Sequence, residues 1–400
     1  MKGAATVAEQ FIQKMLPVTK SRSAALDDLS WLIRKLLKKV LVKADMSDAK
    51  LSKLKPVQKR KIIQNFDYYN SMKSRLNLLE GGDVSVVPEI INTLDFQHRK
   101  RLGSYVRRRH RHEPLQFILG TQPFAGLNDF RVRRPLLIPR WETEWWTTEL
   151  IDRVKPSPPA RILDLCSGTG SSLFMCCALV VVVKRAIWGR CNKSNRRTLL
   201  FKQYTLCRVR PVNPSKLIGC IALALAKHLK LSSVVGVDNN QTAKGLARLN
   251  RDKHWIPNAN FVTMSLFDDD FVEKLLKSNE KFDMIVSNPP YISTADYDLL
   301  DKSVKDWEDP NALLGGDDGL KFYRRIAETW LDLINPDSRS PIKLAMEIGP
   351  TQAKKVAELF TNVGHQSTDS SSPKANGGSQ VYTTEVWKDP AGKDRVVLVK

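Results

Sequence analysis

Residues 288–291 read Asn-Pro-Pro-Tyr and follow directly on the apolar run "FDMIVS". Pro289 and Pro290 fix the backbone and remove two N–H donors, so the carbonyls of this corner face outward as acceptors. The Asn288 side-chain oxygen and a neighbouring backbone carbonyl could then accept both hydrogens of a planar NH2 group. Such a clamp selects a carboxamide or an exocyclic amine. An amide nitrogen is a poor nucleophile because its lone pair is delocalised, so catalysis here rests on holding it in line with an electrophilic carbon in a desolvated pocket. Tyr291 stands beside that position. Alone, the same four residues would also suit a proline-terminated strand with a capping asparagine.

A second constellation lies upstream. "DLCSGTG", from Asp164 through Cys166, Ser167, Gly168 and Thr169 to Gly170, ends an apolar run, and its glycines let backbone N–H groups approach a ligand. A further run ends in "GVDNN" and places Asp238 where a carboxylate at a strand tip can hold a ribose diol. The glycine pattern is neither a Walker loop nor a complete GxGxxG, which disfavours a nucleoside triphosphate or a dinucleotide. S-adenosylmethionine, an adenosine with an amino-acid tail, fits better.

Both constellations need a scaffold that delivers strand ends to one edge. "RILDLC", "SSVVGVD", "NFVTMSLF", "FDMIVSN", "IKLAMEIG", "VYTTEVW" and "RVVLVK" are seven short apolar runs, most of the earlier ones separated by helical stretches. That alternation predicts an α/β sheet with helices on both faces. Residues 1–120 instead carry apolar residues at three-to-four spacing, which predicts a small helical domain. Residues 113–144 alternate like a hairpin and lead into a helix near Glu142. The expected organisation is a helical domain over 1–120, a hairpin and linker over 121–155, and an α/β domain over 156–400.

The formal charge is +22 on 400 residues, which suits an anionic partner such as RNA; the basic run His98–His112 is one place for such contact. No apolar stretch reaches the roughly 18 residues of a membrane span. Six cysteines form neither a disulfide framework nor a trusted zinc spacing, so no metal is expected. The opening segment lacks a secretory apolar region and, with Glu9 in it, matches a transit peptide only weakly.

"NPPYI", "DLCSGTG", "LIPRWETE", "WEDPNALLGGDDGL" and "MEIGPTQAKKV" together resemble the HemK/PrmC family of release-factor glutamine methyltransferases. The resemblance covers nearly the whole chain outside 171–219. It implies a class I S-adenosylmethionine-dependent methyltransferase with a seven-stranded Rossmann-like sheet, preceded by a helical domain that helps hold the release factor. It also implies N5-methylation of the glutamine in the factor's Gly-Gly-Gln tip, with Asn288 gripping the side-chain amide and Tyr291 lining the pocket. By position the cofactor loop is Cys166–Gly170, the ribose contact Asp238 and an adenine-side position Leu266. Ser265 stands where many relatives carry an aspartate, and Trp141 and Trp307 replace a more usual proline and tyrosine. Trp307 and Glu308 fall in a segment expected to cover the pocket.

The largest departure is residues 171–219, between "DLCSGTG" and "CIALALAKHLK". The segment carries ten Lys or Arg and no Asp or Glu, and holds Cys176, Cys177, Cys191 and Cys207. Its composition suits translated noncoding sequence, and a loop of that length inside a compact domain is improbable. A retained intron of 49 codons accounts for it, because Gly170 and Gly219 both suit a glycine codon split after its first base. The rival reading is a basic insertion that grips ribosomal RNA or a release factor. In a chain made as written, the insertion is expected to displace the helix that follows the glycine loop and to weaken cofactor binding. Other readings of the whole chain are an exocyclic-amine methyltransferase on RNA or DNA and an inactive methyltransferase-like binding protein. The helical domain and the intron reading together suggest a mitochondrial enzyme of bacterial type, with indirect contact to the ribosome.

Overall fold

The computed structural model describes residues 6–44, 66–166, 219–277, 280–361 and 382–400. Helices α1 (Val7–Thr19), α2 (Arg22–Ala44), α3 (Phe66–Glu80), α4 (Val87–Thr93), α5 (Phe96–His110) and α6 (Leu115–Leu119) form the N-terminal layer. Their starts are written in the sequence. Thr6 accepts from the Glu9 N–H and Asp95 from the His98 N–H, so each side chain satisfies an amide that the first helical turn leaves open. Ile12, Met15, Leu29, Leu36, Leu76, Ile90 and Leu102 interlock beneath them, and each fully buried side chain of this kind contributes about 1.5–3 kcal/mol.

A two-stranded hairpin follows, β1 (Thr121–Phe124) against β2 (Leu127–Arg131), and then α7 (Trp141–Val154). The remaining strands are β3 (Arg161–Leu165), β4 (Ser233–Asp238), β5 (Ala259–Thr263), β6 (Met284–Ser287), β7 (Leu344–Glu347), β8 (Thr384–Lys388) and β9 (Asp394–Val399). They build one sheet in the order β5-β4-β3-β6-β7-β9-β8. β9 runs antiparallel to both neighbours, while β5 to β7 are mutually parallel. All seven apolar runs are strands. Counted within the sheet, the order is 3-2-1-4-5-7-6, with the chain reversing direction between β3 and β6. Ligands of open α/β sheets bind at such a switch, outside the carboxyl ends of the strands. The fold is that of a class I methyltransferase.

The central strands read as unbroken apolar runs because both of their faces are covered. Ile162, Met284, Val286 and Ala345 point to the side of α7, α8 (Cys220–His228) and α9 (Gln241–Lys253). Leu163, Leu165, Ile285, Leu344 and Met346 point to the side of α10 (Lys321–Leu333) and α11 (Ala353–Thr361). Trp146, Leu150, Ile151 and Val154 commit α7 to the first of these layers.

The chain leaves β3 at Cys166 and is described again from Gly219, the residue before α8. Residues 171–218 of the proposed insertion, and with them the expectation for that segment, lie outside the described residues. The expected displacement of the helix is not found. The Ala222 N–H donates to Asp164 Oδ2 at 3.1 Å, so the first turn of α8 is seated on the end of β3. Seven consecutive buried residues, Cys220–Ala226, hold it there.

Gly219 must be glycine. Its φ is +69°, and a Cβ would lie 2.7 Å from the Phe261 ring and 3.0 Å from Ala247 Cβ. Gly219→Ala should therefore cost about 3 kcal/mol, combining left-handed strain with overpacking. Urea unfolding checks this, and a change under about 1 kcal/mol would show that the α8 entrance is looser than the contacts imply. Either glycine at the ends of the inserted segment meets this demand once the segment is removed.

Candidate active site

Three strand ends meet at the switch. β3 contributes Asp164, Leu165 and Cys166, β4 contributes Asp238, and β6 contributes Ser287 and then Asn288. Ser287 Oγ donates to the Leu165 carbonyl at 2.9 Å and so ties β6 to β3 where both constellations begin. Cys166 has a φ of +60° and is buried. A non-glycine residue held in that region at a strand end stores backbone strain, which concentrates at ligand sites.

A narrow cleft opens beside Cys166, walled by Val237, Met264, Leu266, Phe267 and Phe322, with Asp238 at its polar end. The Asp238 carboxylate is oriented by the Asn240 N–H, which reaches its Oδ1 at 2.7 Å. Asn240 in turn caps α9 by accepting from Thr242 N–H and Ala243 N–H. Apolar walls for a purine and one fixed carboxylate for a diol fit an adenosine. Leu266 lies in this wall. Ser265, at the departure noted above, is spent on its own turn, its Oγ accepting from the Phe267 N–H at 3.1 Å. Of the expected cofactor residues, Cys166 lines the cleft, Asp164 accepts from the Ala222 N–H at the start of α8, and Ser167, Gly168, Thr169 and Gly170 lie outside the described residues.

The Asn-Pro-Pro-Tyr corner rests on a buried carboxylate. Glu347, the last residue of β7, accepts at Oε2 from Thr143 Oγ1 at 2.6 Å and from Trp146 Nε1 at 2.8 Å. Burial pushes the Glu347 carboxyl up, and the Thr143 and Trp146 hydrogen bonds hold it down. Asn288 Nδ2 lies 3.2 Å from Thr143 Oγ1. A hydroxyl has one proton, and Thr143 gives it to Glu347, so toward Asn288 it can only accept. The amide orientation follows: Asn288 must present Nδ2 to Thr143, which leaves Oδ1 as an acceptor on the other side.

Tyr291 OH points at Glu347 Oε1 across 3.4 Å, and burial holds its phenol neutral far above neutral pH. The Tyr291 carbonyl is taken by Gln352 Nε2 at 2.9 Å, while Gln352 Oε1 accepts from the Gly349 N–H. The backbone acceptor that accompanies Asn288 therefore belongs to the Asn-Pro-Pro part of the corner. Gly319 fits beneath it with φ +73°, where a Cβ would meet the Tyr291 carbonyl oxygen at 2.3 Å.

Residues 306–309 fold over the linker that enters α7. Arg134 stacks on Trp307 at 4.6 Å, the Asp309 N–H donates to the Pro135 carbonyl, and Arg140 Nη2 reaches Glu308 Oε2 at 2.7 Å. Glu308 is buried, and desolvation pushes its carboxyl up to about 7 against the opposing pull of Arg140. A folded-state value above the unfolded one adds stability below about pH 4.5 that is lost as the pH rises through about 7. The size is on the order of a few kcal/mol. Glu308→Gln should flatten the fall in stability between about pH 5 and 8, measured by urea unfolding at each pH. An unchanged slope would place that titration elsewhere.

Sequence reasoning named the corner and the cleft but not what braces them. Thr143, Glu347, Gln352 and Gly319 were missed as site residues. Their signal lay inside segments singled out for resemblance, since "PRWETE" contains Thr143, "MEIGPTQ" contains Glu347 and Gln352, and "GGDDGL" contains Gly319. Among the described residues no group of three metal-binding side chains occurs, and no helix is long and apolar enough to cross a membrane.

A family model of the methyltransferase small domain matches residues 218–306, beginning two residues before Cys220. The release factor glutamine methyltransferase of Geobacter sulfurreducens is 34% identical over 292 residues, covering 73% of this chain and 75% of that protein. Proteins of the same name from Fusobacterium nucleatum and Clostridium acetobutylicum are 30% and 27% identical, covering 74% and 75% of this chain and 62% and 79% of their own lengths. Joined to the sheet order and the braced Asn-Pro-Pro-Tyr corner, this likeness makes the chain a member of the release factor glutamine methyltransferase family.

Proposed function

We propose that the chain methylates the side-chain amide nitrogen, N5, of the glutamine in the Gly-Gly-Gln tip of a peptide-chain release factor. The cofactor is S-adenosylmethionine, whose sulfonium methyl supplies the electrophile. The observation that carries the reading is the Glu347–Thr143–Asn288 chain, because it fixes which atom Asn288 offers to a substrate. Asn288 Oδ1 accepts one amide hydrogen and a carbonyl at Asn288–Pro290 the other, so the planar NH2 is held edge-on with its face toward the cleft. Tyr291 and its buried surroundings exclude water from the amide. No base has to act before transfer, since the nitrogen keeps its extra proton until the N–C bond has formed and the sulfonium C–S bond has broken, and gives it to solvent as the product leaves the pocket. Asp238, Leu266 and the Cys166–Gly170 loop are the residues assigned to the adenosine and its tail. We assign the helical layer, residues 1–120, to holding the release factor.

Methyl transfer from tritiated S-adenosylmethionine, with a release factor, its Gln→Ala tip variant and total RNA offered side by side, tests the reaction. Label confined to the unaltered factor is expected. Label in RNA would replace the reading with exocyclic-amine methylation. We further assign the chain to mitochondria, on the strength of its bacterial-type relatives and the intron reading of 171–219. A fluorescent fusion that stays outside mitochondria would remove that assignment.

A further inference from the structure

The C-terminal end of α9 carries a costly feature with no internal use. α9 ends at Lys253 with His254 as its cap, and the Ile256 N–H donates to the Arg251 carbonyl at 3.1 Å while the Trp255 N–H reaches the Asp252 carbonyl at 3.4 Å. This is a Schellman ending, whose left-handed position ordinarily belongs to glycine. Here it is Trp255, at φ +54°, with 90% of its surface exposed. Bulky side chains are outliers in that region, and this one gains almost no burial in return.

Its surroundings are basic and span three parts of the fold. Lys38 of α2 pairs with Asp129 of the hairpin at 2.9 Å, and Lys253 Nζ donates to the carbonyl of the same Asp129, so α2 and the end of α9 converge on one hairpin residue. Exposed Arg131 follows on the same strand. Lys35, one turn from Lys38, lies close enough to Arg108, Lys38 and Arg101 for their charges to add to burial in pushing its ammonium down. Desolvation and the Arg131 and Lys38 charges do the same to Lys253. Asp129 pairs with Lys38 and Glu113 with Arg108, so carboxylates meet two of these six cations. Cations clustered in this way raise the local concentration of an anionic partner.

The stripe is remote from the methyl-transfer site. α8 and α9 start at the carboxyl ends of β3 and β4 and run back, so Lys253 and Trp255 stand at the opposite edge of the sheet. We propose that this stripe is a binding surface for single-stranded RNA, with Lys35, Lys38, Arg101, Arg131 and Lys253 tracking the phosphates and Trp255 stacking on a base. An extended line of cations suits a polyphosphate backbone, and a lone exposed ring beside it suits a base face. An acidic protein would need the cations but not the strained indole.

The test is fluorescence anisotropy of a labelled 20-mer of uridine with the full 400-residue chain, at 50 and 200 mM KCl. Arg131→Glu with Lys253→Glu should weaken binding at least tenfold and flatten its salt dependence. Trp255→Gly should weaken it at least threefold at both salts while raising Tm, because glycine relieves the strain. Methyl transfer should stay within twofold of the parent in both. Three results overturn the proposal. One is poly-L-glutamate competing as well as the RNA with Trp255→Gly without effect, which marks an acidic-protein surface. Another is unchanged binding in the charge-reversed protein. The third is loss of RNA binding on deleting 171–219 alone, which moves the RNA contact to that segment.

Discussion

Deleting residues 171–219 should tighten S-adenosylmethionine binding about thirtyfold over the full chain, measured by calorimetry on both proteins. The α8 N-terminus is already in position, with Ala222 N–H on Asp164 and Gly219 in the left-handed turn, so the deletion does not have to rebuild the helix. What changes is the span between Cys166 and Cys220. In the shortened chain Gly170 joins Cys220 directly, and the four residues Ser167–Gly170 become a tight connection that can set its N–H groups toward the cofactor tail. In the full chain the same four residues begin a connection of more than fifty. Fixing one residue's backbone costs about 1–2 kcal/mol, so a short connection that orders one or two of the four residues before the cofactor arrives favours binding by about 2 kcal/mol. Gly170 also takes over the position where a Cβ would strike Phe261, so the joint creates no new strain. Equal affinity in the two proteins would mean that the glycine loop closes regardless of its length, and the inserted segment would then belong to the working enzyme.

The strands were legible because their chemistry is local. Each of the seven is a short apolar run, and β3, β6 and β7 show no polar alternation because helices cover both faces. The placement of Asn288, Pro289, Pro290, Tyr291 and Asp238 was legible because each follows or ends a short apolar run that forms a strand. Thr143 and Glu347 were not, because their roles depend on each other. They are 204 residues apart and become a pair only when the sheet brings the end of β7 under α7. A buried glutamate at a strand end reads in sequence as an exposed one. The seat of α8 departs from the sequence expectation for a related reason. The inserted segment is conspicuous in sequence, whereas the burial of Cys220–Ala226 appears only once the helix is packed. Trp255 shows the converse: "KHWIP" looks unremarkable until the backbone places its indole at a left-handed helix end.

Asn288→Asp should lower kcat by about a hundred- to a thousandfold with KM changed less than about threefold, a loss comparable to removing one oriented polar group from a transition-state site. The substitution is nearly isosteric, so the fold is not at issue. Its effect comes from the proton count. Thr143 donates to Glu347 and offers Asn288 only a lone pair, so a carboxylate oxygen at that place faces an acceptor instead of supplying a donor. Relief requires Thr143 to turn its proton away from Glu347 and toward the new carboxylate, or that carboxyl to stay protonated, and either choice loosens the brace. Thr143→Val separates this account from a simple contact loss. It removes the acceptor that fixes the Asn288 amide, so Nδ2 and Oδ1 can exchange places and only part of the population offers an oxygen to the substrate. The expected fall in kcat is about tenfold, restored by Thr143→Ser, which returns the hydroxyl without the methyl. Should Thr143→Ser remain as slow as Thr143→Val, the methyl packing and not the hydroxyl would be what α7 contributes to the corner. If Asn288→Asp kept full kcat, the amide would be held by backbone carbonyls alone.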